Sequence, residues 1–312
     1  MPQNSYVSRP RITVVGSANV DLTFRTSRLP LPGETLAGQT LHQGMGGKGA
    51  NQAVVAARLG ADVSFIAKVG DDGFGQQALD AYTADGINVS FVQRESDCPT
   101  GTAAIMVDDN AENCIIVVAG ANAKLTADDV QSARAAIEQS DAVLCQLETP
   151  VEAAIKAFRI ARAAGVRTVL TPAPAKLVTD ELLSLCDVCV PNRTEIAEMV
   201  GQSVQSDADA SSAAESLRKR GVKQVALTLG GDGVLVLDDS GIQHVASHKV
   251  DAVDTTGAGD SFTGALAVSL SEGLSLVEAA RKASIVAAIS VTRMGTQTSF
   301  PTQKEIQQWF VK

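Results

Sequence analysis

The sequence has few aromatic residues, no long apolar run and no excess of positive charge. Aromatic residues make up 4% of the 312 residues and hydrophobic residues 45%, so a chain of this length can bury a full core. Lysine and arginine number 26 against 35 aspartate and glutamate residues, a formal net charge of −9. This balance argues against nucleic acid or an anionic membrane as the main partner, and an anionic ligand would need a local binding site.

No run of about 18 apolar residues, as a membrane span requires, is present. The N-terminal segment also lacks the charged and apolar regions of a signal peptide, so we expect a cytoplasmic location. The five cysteines lie mostly in apolar, strand-like stretches, which is typical of reduced core thiols. Cys186 and Cys189 have the spacing of metal ligands but no second pair, which favours a core strand over a zinc site.

Short β-branched runs alternate with helical patterns along most of the chain. The apolar runs include ITVVG, VSFIAKVG, AVLCQLE, RTVLTP, VCVPN and QVALTLG. Continuous apolar strands of this kind, separated by helices, predict an α/β fold with a parallel sheet covered on both faces. Among the helical patterns, residues 126–141 are expected to form one helix.

Two stretches, around 21–46 and 98–120, interrupt this alternation. Both read as short strands and turns without helices, and the second contains the hairpin signal DDNAEN. We therefore predict a small β-sheet lid that projects from the edge of the main sheet. The predicted lid comprises 21–45 and 99–120, and the predicted core comprises 11–20, 46–98 and 121–312.

The stretch VDAVDTTGAGDSFTGAL, residues 250–266, carries the clearest chemical signal. Gly257, Ala258 and Gly259 lack bulky side chains, so backbone N–H groups can converge on an anion at the start of the next helix. A carboxylate would repel a bound phosphate, but Asp260 makes sense as a general base for phosphoryl transfer. The alternative is that Asp260 only caps the helix.

Two glycine-containing stretches predict contacts with sugar hydroxyls. In GMGGKGANQAVVAARLG, Gly49 follows Lys48 where a P-loop needs serine or threonine, so Lys48 and Asn51 are better suited to a polyol. In GSANVD, Asn19 and Asp21 follow the first strand, on the ligand side of an open α/β sheet. A tight turn without a ligand and a simple Asx turn are the respective alternatives.

Two further strand ends predict a nucleotide site. TLGGDG places Thr228 and three glycines after a strand, which suits a phosphate. PNRTE ends another strand with Asn192 and Glu195, which are possible outer-sphere partners of a magnesium ion that keeps its waters. Taken alone, PNRTE is also compatible with a simple helix start.

Together these stretches resemble the ribokinase (PfkB) family of sugar kinases. GGKGANQA is similar to the first signature of the family and DTTGAGDSFTGAL to the second, and the order of the strand-end motifs agrees over essentially the whole chain. The resemblance implies a three-layer α/β/α fold with a β-sheet lid. It also implies ATP-dependent phosphorylation of the 5-hydroxyl of D-ribose, with Mg²⁺ and a K⁺ activator, in a homodimer formed through the lid.

The resemblance assigns roles to residues of this sequence. Asp260 is the expected base, beside an anion-binding turn formed by Gly257, Ala258 and Gly259. The residues expected to hold ribose are Asn19, Asp21, Gly47, Lys48, Asn51, Glu148 and Asp260. The residues expected to hold ATP are Asn192, Thr228, Gly230, Gly231, Gly233, Gly259 and Ser284. Those expected around the monovalent cation are Asp254, Thr256, Ser290, Arg293, Gly295 and Ser299, and Glu195 is expected to reach magnesium indirectly.

The departures from the family pattern are small. Arg193 lies where relatives often carry an acid, and Thr171 replaces an asparagine that often precedes PAPA. The alternatives are another kinase of the family, for fructose, a keto-deoxy sugar acid or a nucleoside, and a catalytically inactive sugar sensor. The predicted lid offers few aromatic contacts beyond Phe24, which disfavours a nucleoside. The presence of Asp260 and the glycines disfavours the sensor.

Overall fold

The computed structural model describes residues 9–110 and 112–309. Residues 310–312 of the predicted core and Ala111 within the predicted hairpin lie outside the described residues. The strands are β1 (Arg11–Val15), β2 (Asn19–Arg25), β3 (Thr40–Gly46), β4 (Asp62–Gly70), β5 (Asn88–Glu95), β6 (Gly101–Val107), β7 (Asn113–Val118), β8 (Ala142–Cys145), β9 (Arg167–Leu170), β10 (Val188–Cys189), β11 (Gln224–Thr228), β12 (Val234–Asp238) and β13 (Gly241–Val245).

The helices follow the strands along the chain. They are α1 (Lys48–Arg58), α2 (Gly73–Ala84), α3 (Ala127–Ser132), α4 (Arg134–Glu138), α5 (Val151–Ala163), α6 (Asp180–Ser184), α7 (Arg193–Val200), α8 (Asp207–Lys219), α9 (Ala258–Ser271), α10 (Leu276–Ser290) and α11 (Gln303–Trp309). Within the described ranges, no helix has the length and apolar character that a membrane span needs. The cytoplasmic location stays a prediction.

Nine strands form the large sheet, in the order β13-β12-β11-β10-β9-β8-β1-β4-β5. The pairs from β11 to β5 are parallel, and β12 and β13 add an antiparallel edge. Alternate residues of the central strands face opposite sides: Val14 and Leu144 belong to one buried cluster, Val15 and Cys145 to the other. Helices α1, α2, α9 and α10 cover the first side and α3 to α8 the second, which confirms the predicted three-layer α/β/α fold.

A smaller sheet has the order β3-β2-β6-β7. Its strands come from the two stretches that the sequence predicted to be β-rich. β2 pairs antiparallel with β3 and parallel with β6, and β7 is an edge strand. Because β2 begins only a few residues after β1 ends, the start of β2 lies next to the carboxyl ends of the large sheet.

The prediction of one helix over 126–141 is wrong. The structure has two short helices there, separated at Ala133. The Ser132 hydroxyl donates to the Asp129 carbonyl at 2.6 Å, and Ala133 N donates to the Val130 carbonyl, three residues back, at 3.2 Å. These contacts tighten the last turn of α3 and end it.

Candidate active site

The polar residues singled out by the sequence converge at the carboxyl ends of the parallel strands. Ser17 follows β1, Glu148 follows β8 and Thr171 follows β9, and α1 and α9 begin beside them. In open α/β sheets, ligands bind in the crevice at this edge. The helix N-termini found here also favour an anion.

Asp260 lies in the first turn of α9 and is only 6% exposed. Its Oδ2 accepts a hydrogen bond from Asn51 Nδ2 at 2.9 Å, and its Oδ1 accepts one from Gln52 Nε2 at 3.1 Å. Asn51 and Gln52 are neighbours in α1, so the carboxylate joins the two helices. The N-cap residue of α9 is Gly257, so the alternative of Asp260 as the N-cap is wrong.

Opposite charges surround the Asp260 carboxylate. Burial raises the pKa of Asp260, whereas the Lys48 ammonium and the amide donors of Asn51 and Gln52 act to lower it. The charge of Asp260 is in turn the main reason why the pKa of Lys48 is raised. A buried carboxylate with few protein donors and a nearby cation has the surroundings of a general base.

Asn19 is fixed by a neighbouring amide. Its Oδ1 accepts from Asn122 Nδ2 at 2.7 Å, and Asn122 Oδ1 accepts from Ala18 N at 2.8 Å. A Cβ at Gly101 would lie 2.3 Å from Asn19 Oδ1, so only glycine fits there. Because the Asn19 oxygen is occupied, its amide nitrogen is the group available to a ligand.

Asp21 lies on β2 opposite Gly44. A Cβ at Gly46 would lie 2.2 Å from Asp21 Oδ2, so the backbone of β3 approaches this carboxylate closely. Burial, followed by the charges of Glu148 and Asp260, raises the pKa of Asp21 to about 6. Three carboxyl groups therefore share one site, which stores unfavourable electrostatic energy in the ligand-free protein.

Glu148 holds the start of α1. The N-cap residue Gly47 has φ 88° and no side chain with which to cap the helix. Glu148 Oε2 instead accepts from Lys48 N at 3.0 Å and from the Ser17 hydroxyl at 2.5 Å. A Cβ at Gly47 would lie 2.8 Å from Asn19 N, so the glycine lets this helix start touch the residue predicted to bind sugar.

The turn before α9 presents unpaired backbone donors. Gly257 adopts φ 76° and makes no side-chain cap bond. In the described part of the chain, the N–H groups of Gly259 and Asp260 have no hydrogen-bond partner, as is usual for the first turn of a helix. A Cβ at Gly257 would lie 2.7 Å from Thr296 Cγ2, so the turn packs tightly against the loop that follows α10. Backbone donors at a helix start are suited to an anion, and these lie beside Asp260.

The predicted nucleotide residues lie at the ends of β10 and β11. Asn192 forms a parallel bridge with Thr228, whose hydroxyl donates to the Pro191 carbonyl at 3.3 Å. Nothing lies within 4 Å of an added Cβ at Gly230 or Gly231, so this turn is open to a ligand. Gly233 is different: its Cβ would lie 2.2 Å from the Val245 carbonyl oxygen, which gives it a packing role.

Several predicted residues are engaged in their own elements. Glu195 and Asn192 cap α7 reciprocally, with both backbone-to-side-chain bonds at 2.8 Å, and burial raises the pKa of Glu195. Ser284 donates to the Ala280 carbonyl of its own helix at 2.8 Å. Arg193 pairs with Asp232 at 3.0 Å.

Asp254 joins the two loops predicted to hold a monovalent cation. Its Oδ1 accepts from Thr256 N and its Oδ2 from Gly295 N, both at 2.9 Å. Among the described residues, no hydrogen bond reaches the carbonyl oxygens of Asp254, Thr256 or Gly295. Backbone carbonyl oxygens without donors are suitable K⁺ ligands, so this pair of loops fits such an ion.

The other predicted cation residues use their side chains locally. Ser290 and Ser299 donate their hydroxyls to the carbonyls of Ala287 and Thr296, each at 2.8 Å. The Arg293 guanidinium pairs with a glutamate of α11 at 2.8 Å. The Ser290 carbonyl accepts from Arg293 N at 3.2 Å, so within the described ranges only Arg293 and Ser299 of these three keep a main-chain oxygen without a donor.

Three glutamines of the site were missed by the sequence reasoning. Gln52 contacts Asp260 directly, Gln146 donates to Gln52 Oε1 at 2.6 Å, and Gln297 donates to Asn51 Oδ1 at 3.1 Å. Gln52 is part of the quoted signature GGKGANQA, directly after Asn51, and that position was the available signal. Gln146 and Gln297 lie in other motifs, where their positions do not indicate a role in this site.

The sequence and the fold match known sugar kinases. The sequence pattern described as "pfkB family carbohydrate kinase" matches residues 9–303. The chain is 42% identical to a ribokinase of Haemophilus influenzae over 95% of this chain and 97% of the relative. It is 36% identical to a deoxyribokinase of Salmonella typhi over 96% of this chain and 98% of the relative. A structure of Arabidopsis thaliana ribokinase complexed with ribose and ATP superposes with a TM-score of 0.88 at 32% identity, covering 96% of this chain and 98% of that one.

Proposed function

The chain belongs to the pfkB family of carbohydrate kinases, and from that premise we propose that it transfers the γ-phosphoryl group of ATP to the 5-hydroxyl of D-ribose. The products are D-ribose 5-phosphate and ADP. The observation that carries the proposal is the buried Asp260 carboxylate, held by two amides directly beside the N–H groups of Gly259 and Asp260, which have no partner among the described residues.

The sugar pocket lies between β2 and the start of α1. Asn19 offers its amide nitrogen, Asp21 and Glu148 offer carboxylate oxygens, and Lys48 offers an ammonium group. A mixture of donors and acceptors on closely approaching glycine backbone is suited to several hydroxyl groups on a small ligand. The chain is also similar to both a ribokinase and a deoxyribokinase, at 42% and 36% identity, so a pentose is the favoured sugar.

Asp260 acts on the reacting hydroxyl. It accepts the proton of the sugar 5-hydroxyl as that oxygen attacks the γ-phosphorus, and the bond from phosphorus to the bridging oxygen of ADP breaks. The N–H groups at the start of α9 receive the charge that develops on the phosphoryl oxygens. Asn51 and Gln52 keep the carboxylate in place while Lys48 compensates its charge.

ATP would extend from this turn towards the ends of β10 and β11. Asn192, Thr228 and the open glycines Gly230 and Gly231 line that path. Glu195 lies at the same helix start and would reach a hydrated Mg²⁺ through its waters. Mg²⁺ supplies charge compensation for the phosphates when it is bound.

A monovalent cation, K⁺, would be held by carbonyl oxygens of the Asp254–Thr256 and Gly295 loops. Asp254 already accepts hydrogen bonds from both loops. Thr256 directly precedes Gly257, so ordering these loops would orient the N–H groups of the anion-binding turn.

A homodimer formed through the smaller sheet is the assembly that the surface favours. In the edge strand β7, Ile115, Ile116, Val117 and Val118 are 52% to 60% exposed. An exposed apolar edge strand of this kind is usually covered by another chain. The predicted role of this sheet as a lid over the sugar belongs to the same proposal.

A coupled ADP-release assay over a panel of sugars tests the proposed function. D-ribose, 2-deoxyribose, arabinose, fructose, a keto-deoxy sugar acid and adenosine are compared at fixed MgATP and K⁺. We expect D-ribose to give the highest kcat/KM. A tenfold preference for fructose or adenosine would overturn the assignment, and a preference for 2-deoxyribose would retain the mechanism with a different pentose.

A further inference from the structure

Four side-chain amides form two arms that meet at the Asp260 carboxylate. In one arm Gln297 Nε2 donates to Asn51 Oδ1 at 3.1 Å, and Asn51 Nδ2 donates to Asp260 Oδ2 at 2.9 Å. In the other arm Gln146 Nε2 donates to Gln52 Oε1 at 2.6 Å, and Gln52 Nε2 donates to Asp260 Oδ1 at 3.1 Å. Asn51, Gln52, Gln146 and Gln297 are all buried.

The two outer glutamines determine which way the inner amides point. An ionised carboxylate only accepts hydrogen bonds, so Asn51 and Gln52 must turn their nitrogen atoms towards it. Each inner amide then has its oxygen on the far side, where Gln297 or Gln146 satisfies it. If an outer donor were lost, the inner amide would have a buried oxygen without a partner, and the reversed orientation would place an oxygen against the carboxylate.

We propose that Gln297 and Gln146 are positioning residues, which hold Asp260 ready to accept the sugar proton by fixing the orientation of Asn51 and Gln52. The inference rests on the proposed role of Asp260 as the base. Neither glutamine touches the carboxylate, so each acts through its inner amide. The Gln52 nitrogen also donates to the Thr171 hydroxyl at 3.0 Å, so the Gln297–Asn51 arm depends more on its outer glutamine.

Charged residues on neighbouring elements also affect the ionisation of Asp260. Lys48 on α1 favours the ionised form of Asp260, whereas Glu148, Asp21 and Glu195 oppose it. The amide donors of the two arms also favour the ionised form, through hydrogen bonds to the two carboxylate oxygens. Removal of an arm should therefore lower kcat and displace the acidic limb of the kcat/KM profile to higher pH.

The test combines Gln297→Met with Asn51→Ala in a double-mutant cycle. Methionine keeps the approximate volume of glutamine and removes the donor. We expect Gln297→Met to lower kcat about fivefold, the effect of one hydrogen bond, with a smaller change in the Kd of the sugar. In the Asn51→Ala background the same substitution should change kcat less than twofold, since its effect passes through Asn51.

The matched control is Thr13→Val. It removes the buried hydrogen bond between the hydroxyls of Thr13, on β1, and Ser140, which are 2.7 Å apart and away from Asp260. The control should lower stability, measured by thermal unfolding, but leave kcat and the pH profile unchanged. An equal loss from Gln297→Met in both backgrounds, or an unchanged kcat and pH profile in the single variant, would overturn the proposal.

The cycle is measured with whichever sugar the wild-type protein phosphorylates best. A failure of the ribose assignment would then change the sugar used but not the comparison. A failure of the positioning role would appear as additive losses with that same sugar.

Discussion

Replacement of Asp21 with asparagine should stabilise the ligand-free protein at neutral pH and weaken its binding of sugar. The pKa of Asp21 is raised from 3.8 to about 6, first by burial and then by the charges of Glu148 and Asp260. Ionisation of this group therefore opposes folding. Asp21→Asn keeps the shape of the side chain and removes the charge.

The sign and the size follow from proton linkage. Because the folded protein keeps the Asp21 proton to higher pH than the unfolded chain, stability present below about pH 4 is lost as the pH rises through about 6. The difference between the two pKa values corresponds to about 3 kcal/mol, at about 1.4 kcal/mol for each pH unit. Asp21 is partly exposed, so we expect its ionisation to lower the free energy of unfolding by about 1 to 3 kcal/mol.

Urea unfolding at pH 4 and pH 8 measures this effect. The stability of Asp21→Asn relative to wild type should improve by about 1 to 3 kcal/mol between the two pH values, while contributions from other groups cancel. Sugar binding should change in the opposite direction to stability. Calorimetry should show weaker binding of sugar to the variant, because a sugar hydroxyl loses its carboxylate acceptor. An unchanged relative stability at the two pH values would refute the electrostatic reasoning.

Three further predictions concern the turn, the cation loops and the smaller sheet. Gly257→Ala should lower kcat at least tenfold, because φ 76° and a Cβ 2.7 Å from Thr296 both disfavour alanine; steady-state kinetics that match wild type would contradict this. Activity in K⁺ should exceed that in tetramethylammonium at fixed Mg²⁺ and ionic strength, and Asp254→Ala should flatten the difference; equal rates in both salts would argue against the site. Ile116→Lys should shift the sedimentation coefficient from dimer to monomer, and an unaltered value would place any interface elsewhere.

The sequence predicts the residues at the centre of the site better than the residues that hold them in position. The glycines before Asp260 and the strand-end residues Asn19 and Asp21 act through local backbone geometry, so short stretches reveal them. Gln297 and Asn51 are 246 residues apart, and only the packing of the loop after α10 against α1 brings them together. No local pattern distinguishes such a glutamine from one on the surface.

The fold shows the same division between local and long-range information. Continuous apolar runs predict the central parallel strands because burial on both faces imposes that composition. β5 and β13 are the edge strands of the large sheet and were not predicted, since exposure dilutes the apolar signal. β12 was not predicted either, although its apolar residues are buried. The break between α3 and α4 follows from the contacts of Ser132 and Ala133 with the preceding turn, which the helical pattern does not reveal.

The role of Asp260 is tested most directly by Asp260→Asn, assayed for both binding and product formation. Wild type and variant are compared for formation of sugar phosphate by ³¹P NMR, and for sugar and ATP affinity by calorimetry. We expect kcat to fall by about 10² to 10⁴ while both Kd values change little, because an amide keeps the shape of the carboxylate and loses its basicity. A variant that retains more than about a tenth of the wild-type kcat would show that Asp260 is not the general base.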